Sequence, residues 1–311
     1  MKAARIHRFG PPDSIVLDDL PRPSPLSDQV LIRVASAGVG PWDALIREQK
    51  SLVKLSLPVT LGSDLSGVIE AVGPDVTRFK RGDEVYGVTN PQFVGAYAEL
   101  AIASAAMIAH KPHSLTFVEA ASVPVVAVTA WQMLFEYADA TEGQSVLIHG
   151  AGGNVGAYAV QLANQAGLRV FATASSADVP FVQKIGAHTV VDYKRTRFEE
   201  AVPMVDIVLD MVGSDTTGRS FTVIKPGGIL VSVVSKPTPP PDRLNDIRVA
   251  FFLAEVTTER LDKITNLFNR GKLTARVGTV LPLEDARMAH EMLAGARHLP
   301  GKIVLKMTDD S

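Results

Sequence analysis

The stretch GAGGNVG at residues 150–156 spaces three glycines as Gly150-x-x-Gly153-x-x-Gly156, with Gly152 as an extra. It follows the apolar run SVLIH and precedes Ala159, Leu162, Ala163 and Ala166, which recur at helical spacing. Glycines between a strand and a helix let the backbone turn sharply and bring main-chain N–H groups against an anion. The helix N-terminus and its dipole then hold the charge. This is the layout of a dinucleotide pyrophosphate site, and Gly150, Gly152, Gly153, Asn154, Val155 and Gly156 are its predicted lining. Gly156 is expected to let the helix sit close to the strand. Asn154 has two readings that the loop leaves open: a residue tolerant of unusual backbone angles, or a donor to a phosphate or ribose oxygen.

Sites for NAD carry an Asp or Glu at the end of the second strand, about twenty residues beyond the glycines, to bind the ribose 2′-hydroxyl. Here that strand, RVFATAS, ends in Ser175-Ser176, and Asp178 falls later, in the next helical turn. Two hydroxyls tolerate a 2′-phosphate that a carboxylate would repel. Tyr193, followed by Lys194, Arg195 and Arg197, adds donors and positive charge. NADPH is therefore the expected cofactor. The plainer reading is that the serines cap the next helix and the basic residues are only solvated.

Metal chemistry finds little material. The chain has no cysteine, which removes disulfides, iron–sulfur clusters and thiolate-ligated zinc. Of seven histidines, only HKPH (110–113) has a short spacing, and it reads as a solvated loop. His149, ending the strand before the glycines, reads as a packed or capping residue rather than a base. No metal site is expected.

The elements that must hold these residues alternate. SVLIHG, RVFATAS, TVVDY, VDIVLDMVG and GGILVSVVS read as strands, with helices over GNVGAYAVQLANQAG and DVPFVQKIGA. The strands are apolar throughout, as in a parallel sheet buried on both faces, so a doubly wound α/β domain is expected. Before it, QVLIRVASAGV (29–39), SGVIEAV (66–72) and DEVYGV (83–88), punctuated by Gly, Pro and Asp, read as a barrel-like β domain with one helix over PWDALIRE (41–48). FVEAASVPVVAVTAWQMLFEYA reads as mostly helical. The tail carries a helix between two strands and is expected to return to the first domain. The predicted division is 1–120, completed by 275–311, against 121–274.

The 311 residues carry a net charge of −2. No basic stripe marks a nucleic-acid surface, and no nucleic-acid partner is expected. The longest nearly apolar window, 120–131, is too short to span a bilayer, and the charged first ten residues have no apolar run behind them. A soluble, cytoplasmic protein is expected.

From end to end the chain resembles the zinc-independent medium-chain dehydrogenase/reductases, in their quinone oxidoreductase branch. The matching stretches include ASAGVGPWDALIR (35–47), LPVTLGSDLSGVIEAVGPDVTRFKRGDEVYG (57–87), GAYAELA (95–101), AASVPVVAVTAWQML (120–134), the glycine turn, IKPGG (224–228) and PGKIVLKM (300–307). The resemblance implies an α/β fold: a GroES-like β-barrel domain made from both chain ends around a Rossmann domain with a doubly wound parallel sheet, the cofactor lying in the cleft between them. It implies hydride transfer from NADPH to a quinone or an α,β-unsaturated carbonyl. The zinc-dependent cousins' His-Glu pair matches Ser63-Asp64 here. The family's asparagine near the nicotinamide matches Gly40, so the acceptor cleft is expected to be wide and less polar there. Trp42 reads either as an aromatic wall for a flat acceptor or as packing. Thr129 matches a threonine whose helix faces the nicotinamide, and Val212 closes the predicted cofactor set. Tyr86 and Tyr97 are only possible proton donors; Asp43 and Asp64 read as structural. A homodimer is expected, with GGILVSVV (227–234) at a sheet edge. The alternative is a nucleotide-binding, weakly catalytic, crystallin-like member of the same family.

Overall fold

The computed structural model describes residues 1–307. Two units divide the chain: Met1–Val125 with Glu255 onward, and Val126–Ala254. The first unit begins with strands β1 (Lys2–Ile6), β2 (Ile15–Asp19) and β3 (Gln29–Val39), followed by helix α1 (Pro41–Arg47). Then come β4 (Val59–Thr60), β5 (Asp64–Val72), β6 (Glu84–Val88), β7 (Leu100–Ser104), β8 (Ile108–His110) and α2 (Phe117–Ala121). Pro41 at the first position of α1 removes an N–H that would have no helical partner. Thr116 and Glu119 close the start of α2 reciprocally: Glu119 N–H donates to Thr116 Oγ1 at 3.3 Å, and Thr116 N–H donates to the Glu119 carboxylate at 2.9 Å.

Helix α3 (Pro124–Trp131) leads through a π-helical turn at Gln132–Tyr137 into alternating strands and helices. These are β9 (Ser145–His149), α4 (Asn154–Gln165), β10 (Arg169–Ala174), α5 (Val179–Lys184), β11 (Thr189–Asp192), α6 (Phe198–Ala201), β12 (Val205–Asp210), α7 (Asp215–Ser220), β13 (Ile224–Ser232) and β14 (Arg248–Phe251). Their sheet is parallel in the order β11-β10-β9-β12-β13-β14, a doubly wound arrangement whose order reverses beside β9. Strands β9, β10, β12 and the second half of β13 are buried on both faces, as their unbroken hydrophobicity predicted, while the outer strands β11 and β14 are partly exposed.

The chain then returns. Helix α8 (Thr258–Asn269), β15 (Val277–Pro282), α9 (Ala286–Leu293) and β16 (Lys302–Lys306) belong to the first unit. Strand β16 pairs antiparallel with β3, giving a sheet ordered β15-β16-β3-β5-β6-β8, with β7 also on β3. Its core includes Val30, Ile32, Leu65, Ile69, Val85, Ile303 and Leu305.

Two placements differ from expectation. Helix α8 lies with the first unit rather than the second. Thr258 Oγ1 donates to the carbonyls of Ala105 and Ile108, Tyr86 OH donates to the Leu261 carbonyl, and Arg78 pairs with Asp262. The segment 227–234 is not an edge. Strand β14 pairs outside β13 and forms the edge itself, because the proline-rich residues 237–241 turn the chain back to add one more strand.

Candidate functional site

In the second unit the glycine turn joins β9 to α4 at the carboxyl ends of the parallel strands, where open α/β sheets bind ligands. Gly150 has φ +73°, a left-handed conformation that glycine adopts without strain. A side chain at Gly156 would overlap the Gly150 carbonyl oxygen, so this glycine sets the close approach of helix to strand. Gly153 N–H donates to the Gly150 carbonyl at 2.9 Å and caps α4 in extended geometry. The first N–H groups of α4 have no partner within the helix and point toward any anion held there. These glycines leave a bare backbone cradle that a Cβ would fill, and a pyrophosphate fits it. Asn154 is the first residue of α4 and has no left-handed φ, so unusual backbone geometry does not explain it.

Other predicted residues converge on the same strand ends. Val212 lies beside Gly150, within 3.2 Å of where a Cβ would stand. Its N–H donates to Asp210 Oδ1 at 2.9 Å, as does that of Gly213. Ser175 and Ser176 follow β10, and the Tyr193 N–H donates to the Ala174 carbonyl at 3.3 Å; the Tyr193 side chain is 58% exposed. The serines do not cap α5. Ser175 Oγ donates to Asp178 Oδ2 at 3.0 Å, and Ser176 Oγ donates to Asp192 Oδ2. The strand tip therefore does have acids beside it. Asp178 comes back over the turn, its side chain against Gly152, and Asp192 reaches across from β11. Sequence spacing alone had set Asp178 aside as a residue of the following turn.

His149 lies under this surface, its ring nitrogens 3.1 Å from Thr173 Oγ1 and 2.9 Å from Ser220 Oγ. Burial pushes it down to about 4, so it is neutral at neutral pH. Thr129 is buried on α3.

In the first unit, Gly40 and Trp42 lie at the start of α1. A Cβ at Gly40 would overlap the Trp42 indole, so the ring occupies the space beside residue 40. The expected wide gap there is filled. Trp42 is held on its edge and on its face: Nε1 donates to Ser63 Oγ at 2.9 Å, and the Lys302 ammonium lies 4.2 Å from the ring centroid. Lys302 is buried and donates to Asp64 Oδ2 at 2.9 Å, while Val125 N–H donates to Asp64 Oδ1 at 3.1 Å. Burial pushes the Asp64 carboxyl up, and the lysine opposes the shift. Lys302, 238 residues from Asp64, is a partner that no local motif could reveal.

Asp43 accepts from Gly40 N–H at 2.8 Å and from Tyr97 OH at 2.9 Å. Burial pushes it up to about 7. Tyr86 OH, buried, is committed to the Leu261 carbonyl and Thr265. His110 packs on Phe79 at 5.1 Å between ring centroids, and the His113 N–H donates to Asn269 Oδ1.

Two family models match parts of the chain, the second running across the boundary between the units. The alcohol dehydrogenase GroES-like domain family matches residues 26–113, and the zinc-binding dehydrogenase family matches residues 185–305. Quinone oxidoreductase of Mus musculus is 33% identical over 98% of this chain and 97% of its own length. The chain belongs to the medium-chain dehydrogenase/reductase family, among quinone oxidoreductase-like proteins. The Homo sapiens quinone oxidoreductase, another family member, is 31% identical over 98% of this chain and 97% of its own. A quinone oxidoreductase structure from Coxiella burnetii superposes with a TM-score of 0.89 at 34% identity, covering 99% of both chains. A structure described as an NAD-dependent alcohol dehydrogenase gives 0.90 at 30% identity, covering 99% of this chain and all of that one. Membership of this family with a Rossmann sheet makes this an oxidoreductase fold for a nicotinamide nucleotide and a small-molecule substrate. No helix among the described residues is long and apolar enough to cross a membrane.

Proposed function

We propose that this chain is a nicotinamide-nucleotide-dependent reductase of quinones or α,β-unsaturated carbonyls that works without zinc. The observation that carries the reading is the cluster of buried Ser63, Asp64 and Lys302 with the half-buried Trp42. Asp64 accepts from the lysine ammonium and a backbone N–H, and Ser63 Oγ accepts from the indole. With a cation already built into the chain beside Asp64, and no thiolate or imidazole at residues 63–64, the donor set does not suit a divalent metal. Metal-assisted alcohol oxidation needs such a Lewis acid; reduction of an electron-poor acceptor does not.

The glycine turn and the N-terminus of α4 bind the pyrophosphate, with Asn154 and Val155 in the first helical turn and Val212 beside Gly150. Ser175, Ser176 and Tyr193 lie at the ribose end, where the hydroxyls favour NADPH and the neighbouring carboxylates argue the other way. When bound, the reduced nicotinamide supplies a hydride, and the acceptor also takes up one proton. Trp42 presents an aromatic face for a flat acceptor, and Thr129 supplies a hydroxyl on α3. Tyr86 and Tyr97 keep their protons in buried hydrogen bonds, so that proton comes from water. The active species is a homodimer.

Oxidation of NADH and NADPH across quinones, enals and enones, with metal analysis of the same sample, tests the reading. Nucleotide binding with no turnover of any acceptor would point instead to the weakly catalytic, crystallin-like alternative.

A further inference from the structure

We infer that Asp178 makes this dinucleotide site favour NADH over NADPH. The inference rests on the dinucleotide reading above and concerns only its ribose end. Strands β9 and β10 are adjacent and parallel, so the glycine turn and the Ser175-Ser176 tip lie side by side. Asp178 bridges them. It accepts from Ser175 Oγ at 3.0 Å, and a Cβ at Gly152 would come within 2.8 Å of its Cβ and Cγ. The aspartate side chain thus covers the second glycine of the turn, four residues beyond the end of β10.

The neighbourhood reinforces the charge. Ser176 Oγ donates to Asp192, and that hydrogen bond, with the nearby Lys194 and Arg195, holds the Asp192 carboxyl below its usual range. Both serine hydroxyls therefore already donate to carboxylates. The basic residues compensate little: Arg197 pairs with Glu199 at 3.1 Å and Glu200 at 3.8 Å, Arg195 approaches Asp192 only at 3.8 Å, and Lys194 is exposed. A ribose diol offers O–H donors to a carboxylate. A 2′-phosphate offers acceptors and negative charge, which two carboxylates repel.

Dissociation constants for NADH and NADPH, read by fluorescence titration of the full-length protein, test this without turnover. NADH is expected to bind the unmodified protein more tightly by roughly tenfold at low salt, a preference that shrinks as salt screens the charges. Asp178→Asn keeps the size and removes the charge. It is expected to tighten NADPH about tenfold relative to NADH. Ser175→Ala, which leaves the carboxylate in place, is expected to preserve the NADH preference. Tighter NADPH binding by the unmodified protein, or an unchanged ratio in a folded Asp178→Asn protein, overturns the inference while leaving the dinucleotide site standing. Failure of both nucleotides to bind overturns the dinucleotide reading and this inference with it.

Discussion

Gly40 shows how a single missing side chain is compensated by a neighbour. Beside Gly40 the Trp42 indole fills the space, fixed by Ser63 and Lys302. Any side chain placed at residue 40 must displace the ring. Gly40→Asn is expected to cost about 1–3 kcal/mol by overpacking, and Gly40→Asn with Trp42→Ala to recover part of it, both read from urea denaturation. Trp42→Ala by itself is expected to raise KM for flat quinones about fivefold to tenfold, with a smaller effect on small enals. Asp43 gives a pH signature. Its carboxyl is raised to about 7 in the folded protein, so the folded state holds a proton that the unfolded state has lost between about pH 4 and pH 7. Stability from this group falls as pH rises through that window. Asp43→Asn keeps an oxygen to accept from Gly40 and Tyr97 and should flatten the fall. Parallel pH dependences of the two melting temperatures would contradict it.

Among the elements, β16 ties distant parts of the chain together in the first unit. It returns from the far end of the chain to pair with β3 and brings Lys302 against Asp64 on β5. Lys302→Met leaves the Asp64 carboxylate buried without its cation and is expected to destabilise by about 3–5 kcal/mol. Lys302→Met with Asp64→Leu should cost less than Lys302→Met alone, because no buried charge then lacks a partner. An equal or larger loss in the double variant, by denaturant titration, would show that the ion pair is not what the lysine stabilises. At the edge of the parallel sheet stands β14, with Phe251 and Leu253 exposed at its end. An edge with apolar side chains invites pairing. Homodimerisation through this strand predicts that Phe251→Lys shifts the mass in light scattering toward the monomer.

For the whole molecule, the proposed metal-free chemistry rests on the Lys302 ammonium of β16 beside Asp64. Chelator treatment is expected to leave turnover unchanged, and purified protein to contain less than stoichiometric zinc. Loss of activity restored specifically by zinc would refute the metal-free reading.

The sequence by itself determined the strand–glycine–helix turn, the doubly wound order of elements and the family, because each depends on local periodicity or on short contiguous motifs. The run of buried strands was legible from unbroken apolar segments, and the return of the tail to the first unit from the resemblance. Tertiary structure alone decided which residues meet across long separations. It moved α8 to the first unit through hydrogen bonds to strands more than a hundred residues earlier in the chain. It placed β14, not 227–234, at the sheet edge, since pairing order is not encoded in any one strand. It also seated Lys302 on Trp42 and Asp64, and folded Asp178 back over Gly152. These last contacts put a buried cation beside Asp64 in the first unit and a carboxylate beside the glycine turn in the second. They join side chains whose types were visible in the sequence but whose proximity is created only when distant strands pack.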